Sequence, residues 1–74
     1  MKLSENFYDK LLESSRGGYL GLTWNVCDAN GESLGSGVPL KAGMFIVVEN
    51  YYGDVVMHVN DDMSLTNCER EYEE

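Results

Sequence analysis

The stretch Tyr19-Leu20-Gly21-Leu22-Thr23-Trp24-Asn25-Val26-Cys27 decides the fold class. Leu20, Leu22, Trp24 and Val26 alternate with Tyr19, Gly21, Thr23, Asn25 and Cys27, the period of two that marks a half-buried strand. The residues before it keep a different period. Leu3, Phe7, Tyr8, Leu11 and Leu12 recur at spacings of three and four and form one apolar stripe, which predicts a helix over about residues 4–16. Ser4 suits the N-cap, Glu5 the first turn, and Leu3 and Tyr8 the hydrophobic staple. Ser14-Ser15-Arg16-Gly17-Gly18 supplies the stop, with Gly17 fit for a left-handed cap. Glu5, Asp9 and Glu13 share one ridge, which reads as a solvated face partly screened by Lys2 and Lys10.

After this strand, placed at 19–27, the strand period continues. Asp28-Ala29-Asn30-Gly31 reads as a type I′ hairpin turn, since Asn-Gly accepts two positive φ angles. A second strand over 32–38 carries Gly35 and Gly37, which weaken it toward an edge or a bend. Met44-Phe45-Ile46-Val47-Val48-Glu49 is apolar on both faces and suits a central strand at 44–49. Strands follow at 54–59 and 63–68, with Val55, Met57 and Val59 facing one way and Val56 and His58 the other. Residues 69–74 read as an acidic tail. A helix followed by strands, without alternation, predicts an α+β fold with a four- to five-stranded antiparallel sheet. Phe7, Leu11 and Leu12 are then expected against Trp24 and Leu22, and the alternative arrangement curls the sheet into a small SH3-like barrel. No repeat or linker divides residues 1–74, so one domain is expected. A chain this short buries only about 60 % of its unfolded surface, so a homodimer or a partner that completes the core is in keeping with it.

Charge bounds the partners. Thirteen acidic residues against five basic ones leave a net charge of −8 on 74 residues. Residues 1–27 are neutral, with three charges of each sign, so the whole excess lies from Asp28 onward. Phosphate backbones and anionic lipid would both repel such a chain. Hydrophobic residues at 43 % place it outside the disordered class. No apolar run approaches the roughly 20 residues that span a bilayer, and the polar start lacks the apolar core of a secretory signal. The expectation is a cytoplasmic protein, and virus-encoded proteins that act inside a host cell fit its size and charge.

Catalytic parts are scarce. Cys27 and Cys68 are too far apart in sequence for a CxxC pair or a zinc knuckle, and in an intracellular chain they are expected as free thiols. His58 is the single histidine, and no motif supplies an orienting Asn or Asp for a Cys–His pair. Asp28-Ala29-Asn30-Gly31-Glu32 starts like a calcium loop but has its glycine at the fourth position and Pro39 at the twelfth. Asn60-Asp61-Asp62 cannot wrap a cation alone, and Gly17-Gly18-Tyr19-Leu20-Gly21 lacks the Lys and hydroxyl of a phosphate loop. No enzyme, metal or cofactor is expected.

Association remains. Tyr51 and Tyr52 sit between Glu49 and Asp54, and Tyr72 lies among Glu69, Glu71 and Glu73. Aromatic rings among carboxylates suit a basic partner, because acids pair with Lys and Arg while rings take cation–π contacts. Glu49, Asp54, Asp61 and Asp62 are expected to form one charged face, extended by Glu69, Glu71 and Glu73 and anchored by Tyr51, Tyr52 and Tyr72. The functional expectation is a nucleic-acid mimic that inhibits a basic, nucleic-acid-binding protein. Viral anti-defence proteins that block nucleases, CRISPR effectors or polymerases are its class. The alternative is a non-catalytic adaptor or subunit that binds by a sheet edge or hydrophobic groove, its acidity serving only solubility.

Overall fold

Ser4 ends a strand and caps a helix at once in the computed structural model, which describes residues 1–15, 23–35, 37–49 and 52–72. Its Oγ accepts a hydrogen bond from the Phe7 backbone N–H at 3.3 Å, the N-cap geometry that the sequence predicts. In chain order the elements are β1 (Lys2–Ser4), α1 (Glu5–Ser15), β2 (Thr23–Cys27), β3 (Ser33–Gly35), β4 (Phe45–Glu49), β5 (Val55–Val59) and β6 (Leu65–Glu71). They form one helix and one six-stranded sheet of order β1-β6-β5-β4-β2-β3, an α+β fold. The sheet is open, with β1 and β3 at its edges, so it is not the closed barrel of the alternative arrangement. Arg16 and residues 17–22, where the helix stop and the first part of the 19–27 strand were expected, lie outside the described residues. No helix among the described residues is long and apolar enough to cross a membrane.

Two features depart from the sequence reading at the chain's ends. Lys2–Ser4 is a strand, and it pairs in parallel with Glu69, Arg70 and Glu71. Residues 69–71 therefore continue β6 and are not tail. The alternation there is real but unusual in chemistry: Cys68 is buried and Arg70 half-buried, while Asn67, Glu69 and Glu71 are exposed. All other pairings are antiparallel.

The register assigns side chains to faces. Cys27, Phe45, Val47, Val56, Cys68 and Leu3 point to the helix and form the core with Leu11, while Phe7, Tyr8 and Leu12 pack around them. The Phe7 and Phe45 rings meet edge-on at 5.3 Å, and His58 tilts against Phe45 at 5.0 Å. Trp24 is on the other face and 46 % exposed, so the expected packing of α1 on Trp24 does not occur. Period two identified the residues that share a face, but the face that took the helix was the one bearing Asn25 and Cys27 and not the more apolar one bearing Trp24 and Val26.

Ion pairing ties the helix down. Arg70 donates from Nη2 to Glu5 Oε1 at 2.7 Å and to Asp9 Oδ2 at 2.9 Å, and Lys10 Nζ lies 3.1 Å from Glu32. The ridge read as a solvated face is thus held from β6. Ser14 Oγ donates to the Gly31 carbonyl at 2.9 Å, fixing the helix's other end on the β2–β3 hairpin.

The β2–β3 and β5–β6 loops share one design. Gly31 N donates to Asp28 O and Asp28 N to Glu32 O; Met63 N donates to Asn60 O and Asn60 N to Ser64 O. Each is a turn closed by one residue at positive φ, Gly31 at 85° and Met63 at 69°. Asn30 is not at positive φ, so the expected type I′ turn is replaced by one that Asp28 organises, its Oδ1 accepting from the N–H groups of Asn30 and Glu32.

Two stability outcomes follow from these contacts. Arg70→Gln leaves Glu5 and Asp9 facing one another across one turn. Because these side chains are 33–42 % exposed, each lost pair is discounted for solvent screening. A loss of about 1–2 kcal/mol is expected, which is a fall of roughly 5–15 °C in Tm, smaller in high salt. The loops should respond oppositely. Met63→Gly removes left-handed strain and should stabilise by up to about 1 kcal/mol, whereas Gly31→Ala should cost about 1–2 kcal/mol. An added Cβ at Gly31 also meets Lys10 Cδ and Phe7 Cε2 at 3.4 Å. Denaturant melts of the two variants check both signs.

Candidate interaction surface

The direction of each strand divides the expected acidic face in two. Glu49 ends β4 and Asp54 precedes β5, so both lie at the β4–β5 turn. Since β6 runs antiparallel to β5, its C-terminal part, with Glu69, Glu71 and then Tyr72, arrives at the same end. Asp61 and Asp62 occupy the β5–β6 turn at the other end, roughly 20 Å away at about 3.4 Å per residue. The four residues expected to form one charged face are therefore not together. Tyr51 and Glu73 lie outside the described residues.

At the first end, Tyr52 is fully exposed and Tyr72 is 77 % exposed. The Tyr72 ring lies 5.6 Å from the Arg70 guanidinium carbon, a cation–π contact within the chain. Tyr8 reaches this end from α1. Burial raises its pKa above the usual 10.0, and the Asp54 charge adds to the rise. Glu49 is half-buried, and its Oε1 is enclosed without a hydrogen-bond partner among the described residues. Asp54, Glu69 and Glu71 are exposed and take part in no ion pair among the described residues. Glu69 and Glu71 point to the face opposite the helix, because Cys68 and Arg70 take the helix side.

The second end is built around Asn60. Its Nδ2 donates to Ser64 Oγ at 2.9 Å and Thr66 Oγ1 at 2.7 Å, and its Oδ1 lies 3.1 Å from His58 Nδ1. Asp62 accepts hydrogen bonds from the Ser64 hydroxyl and N–H, and these hold its carboxyl below the ordinary carboxylate range. His58, Asn60, Asp61, Asp62 and Ser64 line a shallow open depression of about 470 Å³. Among the described residues no three His, Cys, Asp or Glu side chains are placed to hold a metal ion.

Neither cysteine reaches a reactive partner of the kind considered from the sequence. Cys27 and Cys68 are buried and in no disulfide. They stand on β2 and β6 with β4 and β5 between them, about 14 Å apart at three strand spacings, well beyond disulfide reach of about 7 Å. Phe45 on β4 stands between Cys27 and His58 in the same cross-strand row. Cys68 Sγ donates to the Thr66 carbonyl at 3.7 Å.

Sequence reasoning missed an exposed apolar row on the sheet. On the sheet face away from α1, one cross-strand row holds Trp24, Val48 and Val55 in register, with Ile46 and Met57 in the next. Trp24 and Val55 are 46 % and 38 % exposed, yet Val26, Ile46 and Val59 on the same face are buried. β3 and β4 run parallel on either side of β2, so the chain between them must cross β2, and α1 already holds the other face. Gly43 N donates to Val59 O where that crossover rejoins the sheet. The signal available beforehand was the apolar pattern of both faces of 44–49, which one helix cannot cover.

No family model, no curated protein and no solved structure matches this chain.

Titration tests the packing at this end. Burial raises the Cys68 thiol above 9.0 and Tyr8 above 10.0. A folded-state pKa above the unfolded one means the contribution is complete below the unfolded value and is lost as the pH rises through the folded value. Stability should therefore fall from about pH 9 upward, and Cys68→Ala together with Tyr8→Phe should flatten that fall. Denaturation midpoints between about pH 8 and about pH 11 measure it.

Proposed function

We propose that this protein binds a basic, nucleic-acid-binding protein and blocks its nucleic-acid site by presenting carboxylates where phosphates would lie. One observation carries the reading. Asp54, Glu69 and Glu71 gather at one end of the sheet beside the exposed rings of Tyr52 and Tyr72 and join no ion pair among the described residues, while Glu5 and Asp9 of α1 are both held by Arg70. Duplex DNA carries one charge per roughly 1.7 Å, so its binders present clefts dense in Lys and Arg. A compact body of charge −8 is attracted to such a cleft and, once seated, excludes the duplex. Asp61 and Asp62 add to the steering field from the far end and are not in the contact. The polarity also favours an intracellular, virus-encoded agent over an extracellular one, since its target class is intracellular.

A second reading has its own observation. Trp24 and Val55 stand exposed on the sheet face that α1 does not cover, as an adaptor that binds through an apolar surface would require. Salt separates the two, since apolar docking is little screened.

The experiment is capture on the immobilised protein with a salt gradient. A nucleic-acid-binding protein is expected to be retained, to elute between about 0.1 and 0.5 M salt, and to be displaced by duplex nucleic acid. Asp54→Lys with Glu69→Lys and Glu71→Lys should abolish retention. A retained partner that ignores salt, or that binds nucleic acid while captured, overturns the reading.

A further inference from the structure

Resting on the basic-partner reading, we infer that the contact itself is made by the helix-free sheet face: Trp24, Val48, Val55 and Met57, edged by Glu69 and Glu71, dock a cationic amphipathic helix of the protein partner. The apolar residues occupy two neighbouring cross-strand rows, and the register continues the Trp24–Val48–Val55 row to Glu69 on β6. Glu71 lies two residues further along the same face, about 7 Å on. The platform is thus apolar at β2, β4 and β5 and anionic at β6. An occupant must match both parts, and a helix with an apolar stripe flanked by Lys or Arg does so.

Size agrees. From Trp24 to Glu69 the row crosses three strand spacings, about 14 Å, and one helix with its side chains is about 10–12 Å wide. Val26, Ile46 and Val59 on the remainder of this face are buried, so the open part has room for one helix and not two. The Trp24 indole offers an exposed surface for the aliphatic stem and head of an Arg or Lys. Lys2, beside Glu69 on β1, makes no ion pair with it among the described residues.

Charge decides against a second copy of this chain. Two bodies of −8 repel, and neither would bring cations to the carboxylates of the other.

The test uses three peptide probes: an amphipathic Leu/Lys helix, the same composition in scrambled order, and oligolysine. Trp24 is the only tryptophan and reports directly by fluorescence. The amphipathic peptide should bind at least about tenfold tighter than the scrambled one and shift the Trp24 emission to the blue. Val55→Glu should weaken it by about tenfold or more. The near-isosteric Val55→Thr, which keeps the strand if the glutamate does not, should weaken it by about threefold. Glu69→Lys with Glu71→Lys should weaken it and flatten its salt dependence. Equal binding of the two Leu/Lys peptides, with Trp24 emission unmoved and Val55→Thr without effect, overturns the docking face; if oligolysine still binds in a salt-sensitive manner, the basic-partner reading stands without it. No salt-sensitive binding of any cationic peptide removes both. A dimer in sedimentation that Val55→Glu dissociates makes this face a self-interface and overturns the inference.

Discussion

The parallel pairing of Lys2–Ser4 with Glu69–Glu71 is the constraint on which the rest of the structure depends. Ser4 ends β1 and caps α1 with no residue between, so the strand's position on the sheet edge sets where the helix starts and which face it covers. Leu3 enters the core from this strand, and Arg70, its register partner, reaches the first two turns of the helix. Because α1 is drawn to one face, the opposite face keeps Trp24 and Val55 open.

The helix, the central strand β4 and the β5 alternation were legible in the sequence because each is a local pattern: a cap with a stripe, a double-sided apolar run, and a period of two. β1 was not legible. Three residues show no period, and the partner that makes them a strand is at the other end of the chain. Glu69-Arg70-Glu71 looked like tail because charged residues rarely mark a strand, yet Arg70 faces inward to meet Glu5 and Asp9. Tyr52, Asp54 and Tyr72 could be singled out from composition, but their proximity to Glu69 and Glu71, and the separation of Asp61 and Asp62, depend on strand direction. The exposure of Trp24 was not legible because the helix took the face of β2 bearing Asn25 and Cys27, not the more apolar one.

The charge distribution also changes meaning in three dimensions. Along the chain, the first 27 residues are neutral and the remainder carries all of the −8. Among the described residues every ion pair crosses that division: Lys10 joins Glu32, and Arg70 joins Glu5 and Asp9. Helix and sheet thus share their charges. Among the described residues the carboxylates left over are Glu13 on α1, those at three turns and those of β6, and those of β6 border the apolar face. A surface of this kind combines long-range attraction with a desolvated centre, the combination that gives protein contacts both speed and lifetime.

The edge pairing of β1 also bears on how the molecule comes into being. A contact between residues this distant in sequence closes a loop of nearly the whole chain, and non-local closure of that sort slows folding. During synthesis α1 emerges before its dock, made of Arg70, Cys68 and the β4 and β5 core, which is incomplete until β6 has been made. Until then the apolar stripe of α1 and both faces of β4 are exposed. Closing the sheet therefore waits on β6, and the acidic surplus from Asp28 onward disfavours association between chains that have not yet closed it.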